Sequence, residues 1–196
     1  MIAIIDYKAG NTCSVQNALR RLNADFELTD DAEKINKADK VIFPGVGHAK
    51  AAMEILNEKD LIPVIKGLEQ PVLGICLGMQ LLCVKSEESN TNCLNIIPLD
   101  VLRLNNTLND YKVPHMGWNT LSDTSGAIFD NLGERNHCYF VHSYYVPLSS
   151  YTIATSNYIH EFSSSIKKNN FTGVQFHPEK SGIVGEQIIK NFLENE

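Results

Sequence analysis

The sequence predicts an α/β fold: a mainly parallel sheet covered by helices on both faces, followed by an antiparallel extension. In the first half, short apolar runs alternate with segments of helical periodicity, the pattern of strand–helix–strand units. From residue 95 onward the pattern changes to a succession of strand-like runs, several at hairpin spacing. Neither an internal repeat nor a long linker interrupts the chain, so residues 1–196 are expected to form a single domain.

Each element has its own signal. Residues 2–5 are apolar throughout and read as a buried strand, and 12–22 as a helix with Val15, Ala18, Leu19 and Leu22 on its apolar face. Residues 41–43 form a second strand, ended by Pro44-Gly45. A helix is expected over 49–56, a third strand over 71–75 and a further helix over 77–85. Segments 95–104, 111–119, 138–146, 151–155 and 171–175 read as strands, and 186–193 as a closing amphipathic helix. The polar stretch 87–95 reads as a loop.

Composition narrows the function classes. A hydrophobic content of 43% with 20% charged residues fits an ordinary soluble globular protein. Seventeen basic against 23 acidic residues leave a formal charge of −6, and no basic run offsets it, which argues against nucleic-acid binding. The opening MIAIIDYKAGN lacks the basic-then-apolar pattern of a secretory signal. No apolar stretch approaches the ~18–20 residues of a membrane span. The cysteines, Cys13, Cys76, Cys83, Cys93 and Cys138, are odd in number and irregularly spaced, as expected of reduced thiols in a cytoplasmic protein. No pair has the CxxC spacing of a zinc site, and no metal or cofactor is expected.

The strongest local motif is Gly74-Ile75-Cys76-Leu77-Gly78, where an apolar strand runs directly into a helix. A nucleophile on so sharp an elbow needs small neighbours two residues away on each side, and both are glycine. The elbow sets the sulfur at the positive end of the following helix, which favours thiolate. A helix end contributes only about 0.3–1 kcal/mol, less than one pKa unit, so a second group must help. Taken alone, Cys76 reads equally well as a small buried hydrophobe.

The second motif is Gly173-Val174-Gln175-Phe176-His177-Pro178-Glu179. Residues i and i+2 of an extended segment point the same way, and Pro178 biases His177 towards extension. His177 and Glu179 are therefore expected side by side at a strand's end, where a carboxylate orients the imidazole and raises its basicity. Alone, His-Pro-Glu reads as a surface loop.

Together, GICLGMQLL and, about a hundred residues later, GVQFHPEKS resemble the class I (triad-type) glutamine amidotransferases. IIDYKAGN, FPGVG at 43–47, KVPHMGWN at 112–119 and YFVHSYYV at 139–146 are similar to one branch, the glutaminase subunits of imidazole glycerol phosphate synthase. The resemblance spans nearly the whole chain in the same order, and KVPHMGWN separates this branch from glutaminases serving other synthases. It implies a doubly wound α/β fold with a short antiparallel sheet.

It also implies Cys76 as nucleophile, His177 as general base and acid, and Glu179 as the group orienting His177. The oxyanion donors would be the backbone N–H of Leu77 and an N–H of the loop Gly45-Val46-Gly47, whose glycines permit a peptide flip. Gln80, Gly47, Ser143 and Tyr144 would hold glutamine. Asn11, Trp118, Tyr139 and Lys180 would lie at the ammonia exit and partner contact. The implied partner is a HisF-like cyclase subunit, a barrel in the family, forming a heterodimer in histidine biosynthesis.

Departures fall at Cys13, where the family commonly has arginine, at SEESNTNCLN in place of a glycine-bearing turn, and at HAKAAM after the PGVG loop. They lie on surfaces that could face a partner, which leaves open a paralogue feeding ammonia to a surface-sugar amidotransferase. An α/β-hydrolase-type thiol enzyme would place its acid before the histidine, the reverse of the order here. A catalytically inactive docking module is the alternative outside enzymology. The histidines at 48, 115, 137, 142 and 160 read as structural or exposed, and Cys83 as core.

Overall fold

The computed structural model describes residues 1–8, 12–105, 111–133 and 136–195. The elements of the first half are β1 (Ile2–Ile5), α1 (Thr12–Arg21), β2 (Phe26–Thr29), α2 (Ala32–Lys37), β3 (Lys40–Phe43), α3 (Ala49–Glu58), α4 (Leu61–Lys66), β4 (Val72–Ile75) and α5 (Leu77–Leu81). The second half contributes β5 (Lys85–Ser86), β6 (Thr91–Asn92), β7 (Asp100–Arg103), β8 (His115–Thr120), β9 (His137–His142) and β10 (Tyr144–Tyr145). Strands β11 (Thr152–Asn157), β12 (Glu161–Lys168) and β13 (Phe171–Val174) follow, and α6 (Gly182–Asn195) closes the described chain.

The main sheet has the order β11-β12-β13-β4-β3-β1-β2. Pairs from β2 to β13 are parallel, whereas β12 pairs antiparallel with both β13 and β11. Alternate strand residues feed opposite faces. Ala3, Ile5, Val41 and Phe43 pack with α2–α4, while Ile2, Ile4, Ile42 and Ile75 pack with α1 and α6. Burial on both faces explains why these strands are continuously apolar. Two smaller sheets, β10-β7-β5-β6 and the hairpin β8-β9, carry much of the antiparallel part.

Several expected elements change extent. The helix expected over 77–85 stops at Leu81, and Lys85 is in a strand. The carbonyls that would continue the helix are taken by a different partner: Leu81, Leu82 and Cys83 accept N–H groups from residues 94–97. That contact also shortens the strand expected over 95–104 to Asp100–Arg103. The run 111–119 becomes a strand only from His115, and 138–146 breaks at Ser143 between β9, paired with β8, and β10, paired with β7. Within the polar stretch 87–95, a 3-10 turn and β6 replace a plain loop.

Candidate active site

Chain reversal at β1 leaves the carboxyl ends of β3, β4 and β13 side by side, the edge where open α/β sheets form their crevices. Pro44–Gly47 leave β3, Cys76 leaves β4, and Gln175–Glu179 leave β13. Of these residues, Val46, Gly47, Cys76 and His177 border a cavity of about 280 Å³.

Cys76 sits at φ 52°, ψ −106°, as the N-cap of α5. A side-chain-bearing residue in such a conformation costs of order 1–3 kcal/mol and persists only where its surroundings hold it. They do: its N–H donates to the Val174 carbonyl at 2.7 Å. The turn brings α5 against the end of β3, and a Cβ at Gly78 would lie 2.0 Å from the Phe43 carbonyl oxygen. The helix is only five residues long, so its terminus adds little field at the sulfur.

His177 reaches the same cavity from the far side. Its N–H donates to the Tyr139 carbonyl at 2.8 Å, and Nδ1 faces Glu179 Oε1 at 2.8 Å. The pairing was expected from extended geometry, but Pro178–Lys180 form a 3-10 turn that folds Glu179 back under the ring. Both side chains are buried, 1% and 2% exposed, and among the described residues Nε2 has no hydrogen-bond partner. Burial pulls the His177 pKa down. The facing Cys76 sulfur and the hydrogen-bonded Glu179 carboxylate, both of which favour an imidazolium, outweigh it and raise the pKa to about 10.

Other thiols sit in different surroundings. Burial pushes Cys83 and Cys93 up, the latter to about 12, and likewise Cys138 to about 12, so these three stay protonated. Cys13 is exposed. Cys76 is the cysteine lining the histidine-bearing cavity.

The cavity collects most of the expected substrate residues: Val46, Gly47, Leu77, Gln80, Ser143 and Tyr144. Gly45 does not line it. Instead its carbonyl accepts the Leu77 N–H at 3.3 Å, so one expected oxyanion donor is turned away from the cavity. Glu88, Pro114, Val141 and His142 also line the cavity and were not anticipated. Glu88 lies in the segment read as a loop, where it caps α3 by accepting the Ala49 N–H at 2.6 Å. The one available signal was an acidic pair, Glu87-Glu88, in an otherwise uncharged stretch.

The four expected contact residues divide. Trp118 and Tyr139 are cross-strand partners on the outer face of the β8-β9 hairpin, their rings 6.1 Å apart. Trp118 is 58% exposed and Lys180 is also exposed. Asn11 lies outside the described residues. Met116, 63% exposed, and Ile183, 90% exposed, extend the apolar surface beyond the residues expected from sequence.

Comparison with known proteins gives a consistent result. A family model described as "Glutamine amidotransferase class-I" matches residues 3–195. The chain is 50% identical to an imidazole glycerol phosphate synthase subunit HisH from Bacteroides thetaiotaomicron, over 98% of both chains. It is 53% identical to the protein of that name from Bacteroides fragilis, again over 98% of each. A solved structure of a glutamine amidotransferase is similar in fold, with a TM-score of 0.75 at 16% identity, covering 99% of this chain and 98% of the other.

Proposed function

Because the chain belongs to the class I glutamine amidotransferases, and within them to the HisH family, we propose that it hydrolyses glutamine through Cys76, His177 and Glu179. The observation that carries this reading is the shared cavity: a strained cysteine and a carboxylate-bound histidine, contributed by neighbouring strand ends, face one space.

In the proposed mechanism, Cys76 Sγ attacks the side-chain carbonyl carbon of glutamine, and the carbonyl electron pair moves to oxygen. His177, protonated through Nε2 and held by Glu179 at Nδ1, gives its proton to the departing nitrogen. Ammonia leaves a glutamyl thioester. His177 then takes a proton from water as the water oxygen attacks the thioester, and the sulfur leaves as thiolate. The new carboxyl group gives its proton to solvent, and glutamate departs with the thiolate–imidazolium pair restored. Glu88 has one oxygen on the Ala49 N–H and its other oxygen available for the α-ammonium of glutamine. Gln80, Ser143 and Tyr144 complete the binding wall.

The oxyanion site needs a rearrangement. The Gly45 carbonyl and the Val46 N–H belong to one peptide plane. Rotating it would free the Leu77 N–H and swing the Val46 N–H towards the cavity, supplying two donors at once.

The partner reading follows from the relatives' names: a HisF-like cyclase that consumes the ammonia within imidazole glycerol phosphate synthase. The apolar hairpin face with Met116, Trp118 and Tyr139 supports a docking surface there, joined by Lys180 and Ile183. Val141, on the same strand, lines the cavity, so the hairpin lies between the sulfur and that surface.

The test is Cys76→Ala beside Cys83→Ala, each assayed with the partner. Cys76→Ala is expected to abolish glutamine hydrolysis and to leave the partner's use of free ammonia intact. An active Cys76→Ala with an inactive Cys83→Ala would overturn the assignment.

A further inference from the structure

Gln175 is fully buried directly behind Cys76, and it does not line the cavity. A buried glutamine must place both ends of its amide on partners or lose the hydrogen bonds it had in water. Its Nε2 lies 3.6 Å from Cys76 Sγ, and its Oε1 lies 3.0 Å from Gln80 Nε2.

The orientation of both amides follows from one fixed group. The backbone carbonyl of Tyr144 can only accept, so the end of Gln80 facing it at 3.1 Å must be the NH₂. That NH₂ also faces Gln175, which must therefore present its oxygen there. The NH₂ of Gln175 is left facing the sulfur. Tyr144 is anchored in turn: its carbonyl also takes His142 Nδ1–H at 2.8 Å, and His142 Nε2 pairs with His115 Nδ1 at 2.9 Å. Burial holds both rings neutral, with pKa values lowered to about 3 for His142 and about 4 for His115.

We propose that Gln175 is a further catalytic residue, whose side-chain N–H bonds the Cys76 sulfur and favours its thiolate, oriented by the Tyr144 carbonyl through Gln80. The proposal rests on Cys76 being the nucleophile. The Val141 carbonyl, 3.8 Å from the sulfur, is an acceptor and suits the thiol. Titratable neighbours are His177 on the loop after β13, His142 on β9, Glu88 across the cavity and Tyr7 after β1. Burial and the Cys76 charge push the Tyr7 phenol upward, and its hydroxyl is committed to the Pro44 carbonyl at 2.6 Å. With α5 so short, His177 and Gln175 are the groups that stabilise negative charge on sulfur. Gln175 does so without a charge of its own, at every pH at which the protein is folded.

The experiment is the rate of Cys76 alkylation by iodoacetamide across pH in the full chain, read on the Cys76 peptide by mass spectrometry. Gln175→Met keeps the length and removes the donor, and Gln175→Leu removes it with a branched side chain. Both are expected to alkylate about tenfold more slowly at neutral pH, with the pH dependence displaced upward by about one unit. In glutamine hydrolysis kcat should fall by a similar factor while KM changes little, because Gln175 does not line the cavity. Gln80→Met releases the Gln175 amide and should displace the alkylation profile in the same direction; it serves where a Gln175 variant melts below the assay temperature. An alkylation profile unchanged from that of the parent chain overturns the proposal. Hydrolysis surviving Cys76→Ala would instead remove the nucleophile assignment, while the alkylation profile still reads the sulfur–amide bond.

Discussion

Glu179 is 2% exposed and spends one oxygen on His177, so its charge is kept out of water to serve that ring. Replacing it by glutamine preserves shape and removes the charge that favours an imidazolium. A hydrogen bond to a charged group contributes about 1.5–3 kcal/mol, so Glu179→Gln should lower kcat by about 10–100-fold, with a smaller change in glutamine KM. Unchanged turnover in a steady-state assay would remove Glu179 from the mechanism. The same ring gives folding a pH dependence, because Cys76 and Glu179 both favour its charged form. The folded pKa of His177 is raised, so its contribution is fully present below the unfolded value of about 6.5 and is lost as pH rises through about 10. The meeting of Cys76, His177 and Glu179 was legible because glycine frees and proline fixes the backbone beside them. Glu88, His142 and Gln175 were not, since each acts through a neighbour distant in sequence: the helix α3, the His115 ring and the Cys76 sulfur.

The elbow between β4 and α5 is held by close backbone approach more than by side chains. A methyl group at Gly78 would sit 2.0 Å from the Phe43 carbonyl oxygen, and one at Gly45 would meet the Gly78 nitrogen at 2.6 Å. Gly78→Ala must therefore push α5 away from the end of β3 and shift the Gly45–Gly47 loop. Overpacking of this kind costs about 1–3 kcal/mol, and a chain of this size loses roughly 2–4 °C in melting temperature per kcal/mol. Calorimetry should show that loss, together with reduced glutamine turnover; a melting temperature equal to the parent's would mean that β3 yields without cost. Strands β1, β3 and β4 were legible because both faces of each are apolar. Strand β12 was not: Ser163, Ser164 and Ser165 fill its centre, all fully buried. The Ser163 and Ser165 hydroxyls donate to the Pro147 and Gly173 carbonyls, which makes the burial of those two tolerable, a pairing invisible in one dimension. Helices α2 and α4 are six residues each, too short for periodicity to register, and β2 is only half-buried along most of its length.

At the scale of the molecule, the resting geometry has the Leu77 N–H occupied by the Gly45 carbonyl. Turnover by the chain alone should therefore be slow, because one missing oxyanion donor typically costs about 100–1,000-fold. A partner loaded with its acceptor would have to favour the rotated peptide by about 3–4 kcal/mol to recover that factor. The backbone offers a route: Tyr139, on the exposed hairpin, accepts the His177 N–H at its carbonyl and donates its own N–H to the Ser181 hydroxyl oxygen. Glutamine turnover measured for the chain, the complex and the acceptor-bound complex should rise at each step, and three equal rates would remove the switch. The strand order carries a separate consequence, for the time before the protein is finished. Cys76 leaves β4, but the strand that delivers the histidine, β13, is made about a hundred residues later and must still slot between β4 and β12. While the chain is growing on the ribosome, it thus exposes a thiol with neither the proposed base nor the Val174 carbonyl that holds its backbone. A nascent chain, or one cut before β13, has no means of spilling ammonia into the cell.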